Sequence, residues 1–290
     1  MGSPRSIKYF SEVILLTKSV YEQELYTWID WYLNVLKFDH VALFDNESFI
    51  DVRGIIDKFQ TDKISYTSIV GHPYQRELYS KYLTSTNAQW SITLDDDEYL
   101  YFSNKYGDTV KDFIECLNEA YHNNMYYIMW TNMLSKEPLS KYNDKLINTH
   151  TYYSYEAFNK IKQIPFNKNN LGKCFINNDY NYRYLACDGK HAGHIPECIN
   201  GNNYAILVND GSHAKEIING LDFNSDCFIA HYQLKNRQEW IRKSTSPIAS
   251  TKAFRPTFIK PVYDMIYKYK DIFIECNLLK DKYEQYLNGK

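Results

Sequence analysis

Nowhere in the 290 residues do 18 apolar residues run together, so the sequence offers no segment able to cross a bilayer as a helix. The opening Met1-Gly2-Ser3-Pro4-Arg5-Ser6 lacks the apolar core of a secretory leader and reads as an expression remnant or a disordered start. Six cysteines (Cys116, Cys174, Cys187, Cys198, Cys227 and Cys276) form no CxxC pair and no tight spacing. A zinc site and a disulfide framework are therefore set aside, and a reducing, cytoplasmic compartment is the expectation. Glycine (11) and proline (8) are sparse, no stretch is rich enough in Gly, Pro or Ser to be a linker, and no repeat is visible. Residues 7–290 thus read as one domain. A basic excess is missing as well: the formal net charge of −2 gives no electrostatic footprint for a polyanion, so nucleic acid is not an expected partner. Nothing in these absences speaks to oligomeric state.

What is present is a core. Hydrophobic residues make up 44% of the chain and aromatic residues 17%, enough for a large α/β body. The 28 tyrosines suit clefts that bind sugars or nucleotides, and equally well fill sheet cores. Glu12 to Thr17 reads as a buried first strand, and Leu25, Trp28, Ile29, Tyr32, Leu33 and Leu36 mark one apolar stripe of a helix. Strands follow at His40 to Phe44 and Ile64 to Val70, helices at Asp51 to Phe59 and, after Pro73, at Tyr74 to about Asn87. With a fourth strand at Ser91 this makes β-α-β-α-β-α-β with short connections, which assembles naturally as a parallel sheet. Later signals predict a helix over Asp108 to Tyr121 and strands over Tyr126 to Thr131, Lys173 to Ile176, Tyr182 to Ala186, Tyr204 to Val208 and Phe228 to Tyr232. Residues 135 to 170 read as loops with a short hairpin, Gln238 to Lys243 begins a helix, and a helical tail follows Pro256.

The chemistry concentrates where the fourth strand ends. Trp90-Ser91-Ile92-Thr93-Leu94 runs straight into Asp95-Asp96-Asp97-Glu98. Adjacent carboxylates repel, and a divalent cation with a preference for hard oxygen ligands is the economical counter-charge. Continued strand alternation would put Asp95 and Asp97 on one side and Asp96 and Glu98 on the other. The plain alternative is a solvated acidic turn. Against it stands the position at a buried strand's end, where open α/β sheets place ligands.

Asp95-Asp96-Asp97-Glu98-Tyr99-Leu100 resembles the D-x-D-E-[FY]-[LI] segment of GT-A glycosyltransferases in the family 2-like and family 92-like group. Phe44-Asp45-Asn46-Glu47-Ser48 resembles that group's Y-D-N-x-S turn, and Tyr74-Gln75-Arg76 its Q-R segment. His231-Tyr232-Gln233-Leu234-Lys235-Asn236-Arg237-Gln238-Glu239-Trp240 resembles its H-Y-x-x-K-S-x-E-E segment. Two positions depart from the pattern: Thr17-Lys18-Ser19 stands where many relatives have K-N-E, and Asn236 stands where Ser is usual. The resemblance implies a GT-A-like, Rossmann-related three-layer α/β sandwich with a mostly parallel central sheet. Residues 12–100 would be the nucleotide half, 101–245 the acceptor half and 246–290 a helical tail.

The implied activity is transfer of a sugar from a nucleotide-sugar donor, UDP-linked by expectation, to a hydroxyl on a glycan, protein or small molecule. Mn²⁺ or Mg²⁺ would be the cofactor and inversion the favoured stereochemistry. Asp97 binds the ion in every reading, Asp95 either joins it or touches the ribose, and His231 is the third metal candidate. Thr17, Lys18, Asp45, Asn46, Gln75, Arg76, Asp95, Asp96 and Lys173 form the candidate donor-binding set. For Asp45 and Asn46 a simple Asx-turn is an equal alternative, for Arg76 an ordinary salt bridge, and for Lys173 a solvated strand-edge position. Asp188 is the first candidate for the general base and Glu98 the second, with His191 and His194 as acceptor or phosphate contacts. The rival readings are a metal-dependent phosphoesterase or nucleotidyltransferase, and a non-catalytic nucleotide- or sugar-binding module on the same fold.

Overall fold

The computed structural model describes residues 6–71, 75–140, 144–160, 171–183, 195–202, 204–208, 211–214, 223–245 and 262–290. β1 (Tyr9–Thr17), α1 (Glu22–Asp30), β2 (His40–Asp45), α2 (Val52–Asp57), β3 (Ile64–Ser68), α3 (Gln75–Leu83) and β4 (Ala88–Leu94) alternate as the periodicity predicts. They are followed by β5 (Glu98–Phe102), α4 (Val110–Tyr121), β6 (Met125–Leu134), α5 (Leu146–Thr149), β7 (Tyr152–Tyr153), α6 (Tyr155–Lys160) and β8 (Gly172–Asn177). Two short pieces, β9 (Tyr182–Arg183) and β10 (Glu197–Cys198), pair as a separate ribbon. The chain continues through β11 (Ala205–Leu207), β12 (His213–Ala214), β13 (Cys227–His231), α7 (Arg237–Thr245), α8 (Val262–Ile266), β14 (Ile274–Glu275) and α9 (Leu278–Asn288).

The central sheet runs β12-β11-β6-β8-β4-β1-β2-β3. β3, β2, β1 and β4 are mutually parallel; β8 is inserted antiparallel between β4 and β6, and β11 again lies parallel to β6. Six of these eight strands therefore point the same way, with β8 and β12 reversed. Alternation along the strands sends Val13, Leu15, Val41, Leu43, Ile92 and Leu94 to one face, where α1, α2 and α4 cover them. It sends Ile14, Ala42 and Phe44 to the other, where Tyr79 and Leu83 of α3 pack with Tyr182 and Cys198. This is the GT-A-like, Rossmann-related three-layer arrangement expected, and the strand ends at Thr17, Asp45 and Leu94 line up along one edge.

Two differences from the periodicity have clear causes. The apolar stripe starting at Leu25 is not one α-helix: α1 gives way at Trp31–Val35 to a π-helical turn, closed by Leu36 N–H donating to Trp31 O. That wider turn lets the neighbours Trp31 and Tyr32 both face inward, where their polar tips bond the backbone of β5. Second, the acidic run is followed at once by β5, all of whose residues are buried and which pairs antiparallel with β13. In the stretch expected as loops with a short hairpin, the described residues 144–160 form α5, β7 and α6, with β7 pairing to β6 and β14, while 141–143 and 161–170 lie outside the described residues. The predicted strand at Tyr182 keeps Tyr182–Arg183; residues 184–186 lie outside the described residues, as do Asp188, His191 and His194.

No helix among the described residues is long and apolar enough to cross a membrane. The described cysteines are all free thiols.

Candidate active site

The acidic run is a turn, not a continuation of β4. Glu98 N–H donates to Asp95 O at 3.1 Å, closing a four-residue reversal between β4 and β5. Its backbone is held by α1 and the π-helical turn that follows it: the Trp28 indole N–H reaches Asp95 O and Glu98 O, both at 3.1 Å, and the Tyr32 hydroxyl donates to Glu98 O at 3.0 Å. The expected split of alternate carboxylates to opposite sides is thereby overturned, because in a turn each residue points in its own direction.

Asp95 is directed back over the sheet. Its Oδ1 accepts from Gln75 Nε2 at 2.9 Å and its Oδ2 from Lys173 Nζ at 3.2 Å. Lys173 lies on β8 in the middle of the sheet and is 4% exposed, so it is neither a solvated edge lysine nor placed to meet a diphosphate. The same ammonium is 3.3 Å from Glu98 Oε2, which also accepts from Asp95 N–H at 3.0 Å. Glu98 is completely buried. It braces the turn and cannot face an acceptor hydroxyl, which removes it as a general base. Burial pushes its carboxyl well above the usual range, against the pull of Lys173. Burial alone would lower the Lys173 pKa, but the charges of Asp95 and Glu98 more than offset it and keep the ammonium protonated.

Asp96 faces the first strand instead. Its Oδ2 accepts from the Thr17 hydroxyl at 2.7 Å and the Ser19 hydroxyl at 3.3 Å, and its Oδ1 is 3.8 Å from Lys235 Nζ. Lys235, 4% exposed, forms its closer ion pair with the buried Glu24 of α1. Burial works against its charge too, and Glu24 and Asp96 outweigh it. Asn236, the departure from Ser, accepts from Glu239 N–H through its side chain at 2.9 Å, and Trp240 N–H bonds its carbonyl at 2.9 Å. It caps the start of α7, a task both residue types perform.

Asp97 points to the other half of the domain. Its Oδ1 lies 3.8 Å from His231 Nε2, and Tyr232 N–H donates to its carbonyl at 2.8 Å. Register puts Glu98, His231 and Asn132 side by side across β5, β13 and β6, and Trp130 packs its ring 4.3 Å from the imidazole. Among the described residues no group of three His, Cys, Asp or Glu side chains could hold an ion. Of the three metal candidates, Asp97 and His231 come together while Asp95 is turned to Gln75 and Lys173. A carboxylate oxygen and an imidazole nitrogen this close are a fitting partial ligand set for Mn²⁺ or Mg²⁺, with the rest of the shell left to other oxygens.

At the neighbouring strand ends, Asp45 is committed internally: Oδ1 accepts from Ser48 N–H at 3.0 Å and Oδ2 from the Tyr66 hydroxyl at 2.9 Å. Asn46 Nδ2 donates to Gly71 O at 2.7 Å and Ile69 O at 3.2 Å. Lys18 is exposed, its ammonium 5.6 Å from the Phe49 ring centroid. Arg76 belongs to α3, and its side chain lies outside the described residues.

Sequence reasoning missed Glu24, Lys235, Trp28 and Tyr79 as site supports. Lys235 had a signal in the HYxxK segment. Trp28 read only as core and Tyr79 only as part of a predicted helix, because a pattern of apolar residues does not show where an indole N–H or phenol tip will end. Tyr79 accepts from Leu16 N–H and from Gln75, fixing α3 against β1 and the amide that holds Asp95.

No family model matches the sequence, and no curated protein matches it. Among solved structures, TarS of S. aureus (residues 1–349, in complex with UDP) is similar at 15% identity over 53% of this chain and 49% of that one, TM-score 0.34. Glucosyl-3-phosphoglycerate synthase from Mycobacterium tuberculosis, in complex with Mn²⁺, UDP and phosphoglyceric acid, is similar at 16% identity over 32% of this chain and 34% of that one, TM-score 0.26. 4-Diphosphocytidyl-2C-methyl-D-erythritol synthase from Anaerococcus prevotii is similar at 13% identity over 61% and 74%, TM-score 0.30. The chain thus spans about half the length of the TarS fragment. Likenesses of this size leave the role of every residue to the geometry of this chain.

Proposed function

We propose that the protein is a metal-dependent glycosyltransferase that moves a sugar from a nucleotide-sugar donor, UDP-linked by expectation, to a hydroxyl acceptor. The observation that carries this reading is the Asp97–His231 pair, 3.8 Å apart, in a turn approached by the ammonium groups of Lys173 and Lys235. Two halves of the domain meet there, one ending in β4 and the other in β13. A divalent ion held by Asp97 and His231 would neutralise the charge that develops on a departing diphosphate. Thr17 and Ser19 fix Asp96, Lys173 and Gln75 fix Asp95, and Trp28 fixes the turn backbone, so the pair stands on a frame that needs little rearrangement to bind. Asp188 is the proposed base that takes the acceptor proton.

The test is a panel of UDP-, GDP- and dTDP-sugars with Mn²⁺, scored by thermal shift and by release of free nucleotide. Asp97→Asn is expected to abolish transfer and Mn²⁺-dependent UDP binding while leaving the melting temperature of the free protein near wild type. Unchanged UDP and metal affinity in calorimetry would overturn the assignment of the turn. Release of phosphate or pyrophosphate in place of free UDP would assign the site to hydrolysis or nucleotidyl transfer.

A further inference from the structure

Strand β6 passes through the candidate site with alternate residues on one face. Ile128, Trp130 and Asn132 share that face, and register extends it sideways: Ile128 lies opposite Lys173 of β8, and Asn132 opposite His231 of β13. Trp130 stands between these two pairs. Its ring centroid is 4.3 Å from that of the His231 imidazole, and Lys173 Nζ is 5.6 Å from the indole ring. Lys173 leads on to Asp95 and His231 to Asp97, so the indole joins the two arms of the turn, and part of its surface is exposed.

Asn132, two residues on, is also partly exposed, yet its Oδ1 is buried and meets no hydrogen-bond donor among the described residues. A buried amide oxygen without a donor costs stability, and an aliphatic side chain of similar size would fill the place without that cost. Among the described residues this oxygen has no task, which points to a ligand. Rotation about the last side-chain bond brings it to the open side, where the carboxamide offers an acceptor at one end and donors at the other. Two positions apart on a strand, the indole and the amide are about 7 Å from each other along β6. A saturated ring lying over the indole would carry its hydroxyl edge to the amide. Pyranoses have that build: a face of C–H bonds and a rim of hydroxyl groups.

We propose that Trp130 and Asn132 bind the sugar that the donor carries, its C–H face on the indole and one hydroxyl on the amide. The proposal rests on the transferase reading of Asp97 and His231 and names the residues that hold the transferred group. The diphosphate belongs at that pair, the sugar is bonded to the diphosphate, and Trp130 packs directly on His231.

Calorimetry with Mn²⁺ compares UDP-glucose, UDP-galactose, GDP-mannose and dTDP-glucose with the matching free diphosphates. For a donor that wild type binds, Trp130→Leu should weaken the sugar nucleotide about three- to tenfold relative to its free diphosphate, and Trp130→Phe should recover most of that loss. Asn132→Leu should weaken it by a similar factor, about three- to tenfold, with no fall in melting temperature. Equal losses for the sugar nucleotide and the free diphosphate in Trp130→Leu would make the indole a prop for His231 and overturn the sugar contact. A lower melting temperature in Asn132→Leu, or an unchanged affinity ratio, would overturn the role of the amide. If wild type binds a free diphosphate but none of the four sugar nucleotides, this proposal fails while the donor-site reading stands; if it binds neither, both fail.

Discussion

Removing the Lys173 ammonium isolates what holds the acidic turn. In Lys173→Met the aliphatic stem keeps its packing, while the charge facing Asp95 Oδ2 at 3.2 Å and Glu98 Oε2 at 3.3 Å disappears. The two carboxylates would not suffer alike. Asp95 has 37% of its side chain exposed and can be rehydrated, so its share stays near that of a surface pair, about 1 kcal/mol or less. Glu98 is 0% exposed, and its Oε1 already lacks a hydrogen-bond partner among the described residues. Breaking a buried pair from one side costs about 3–5 kcal/mol, a cost capped by the carboxyl taking up a proton. The expected destabilisation at about pH 7.5 is therefore roughly 3–5 kcal/mol, dominated by Glu98. The second variant is diagnostic: adding Glu98→Gln removes the orphaned charge and keeps an acceptor for Asp95 N–H. Stability should then return to within about 1–2 kcal/mol of wild type, a large coupling between the two sites. Urea denaturation read by tryptophan fluorescence suits the measurement, since the Trp28 indole bonds the turn itself. A single variant within about 1 kcal/mol of wild type, or a double variant no better than the single, would refute the reasoning.

Two further outcomes follow from other parts of the frame. Gly172 begins β8 against β6 with no room for a side chain: a Cβ there would sit 2.0 Å from Ile128 O and 2.9 Å from Met129 Cα. Gly172→Ala should cost about 3 kcal/mol in denaturant unfolding and weaken the hold of the adjacent Lys173 on the turn; a loss below about 1 kcal/mol would contradict the close approach. His150 is fully buried, with Nε2 at 2.7 Å from Lys235 O, and burial lowers its pKa to about 4. The folded state thus binds its proton less readily than the unfolded chain, so this stabilisation is complete above about pH 6.5 and is lost as pH falls toward about 4, by about 3 kcal/mol in all. Stability curves for wild type and His150→Gln should converge on acidification; parallel curves would rule the linkage out.

The first hundred residues were legible because strands are short apolar runs ended by polar residues, the first helix shows a 3.6-residue stripe, and Pro73 marks the start of the third. Their parallel pairing then follows from short helical connections, whereas the order β3-β2-β1-β4, with β4 carried back past β2 to the far side of β1, has no local signal. β8 was legible as a strand but not as the antiparallel insertion between β4 and β6, since no local signal encodes a partner so distant in sequence. The π-helical turn at Trp31 was hidden because Tyr32, Leu33 and Leu36 continue the α-helical stripe without a break. For the site, residue types were readable and directions were not. Asp97 and His231 were named and do approach, whereas Asp95 and Lys173 were assigned to ligands and are found paired with each other. A run of four acids after a strand does not reveal that the chain reverses within it, and the reversal decides where every carboxylate points.

That reversal also bears on whether the acids are merely a solvated loop. A solvated acidic turn would leave its carboxylates in water and its backbone free to move. Here Lys173 and Lys235, each 4% exposed, are each shared between an acid of the turn and a fully or nearly buried glutamate, Glu98 or Glu24. Burying two ammonium groups is costly unless the carboxylates they meet are fixed. The lysines therefore hold the turn in place before any cation arrives. Lys173 meets the charge of Asp95 and Glu98, and Lys235 that of Glu24 and Asp96. Asp97 lies on the side on which His231 stands. An ion entering there would meet a turn already shaped by Trp28, Tyr32 and the two lysines, so its binding energy would not be spent on ordering the chain.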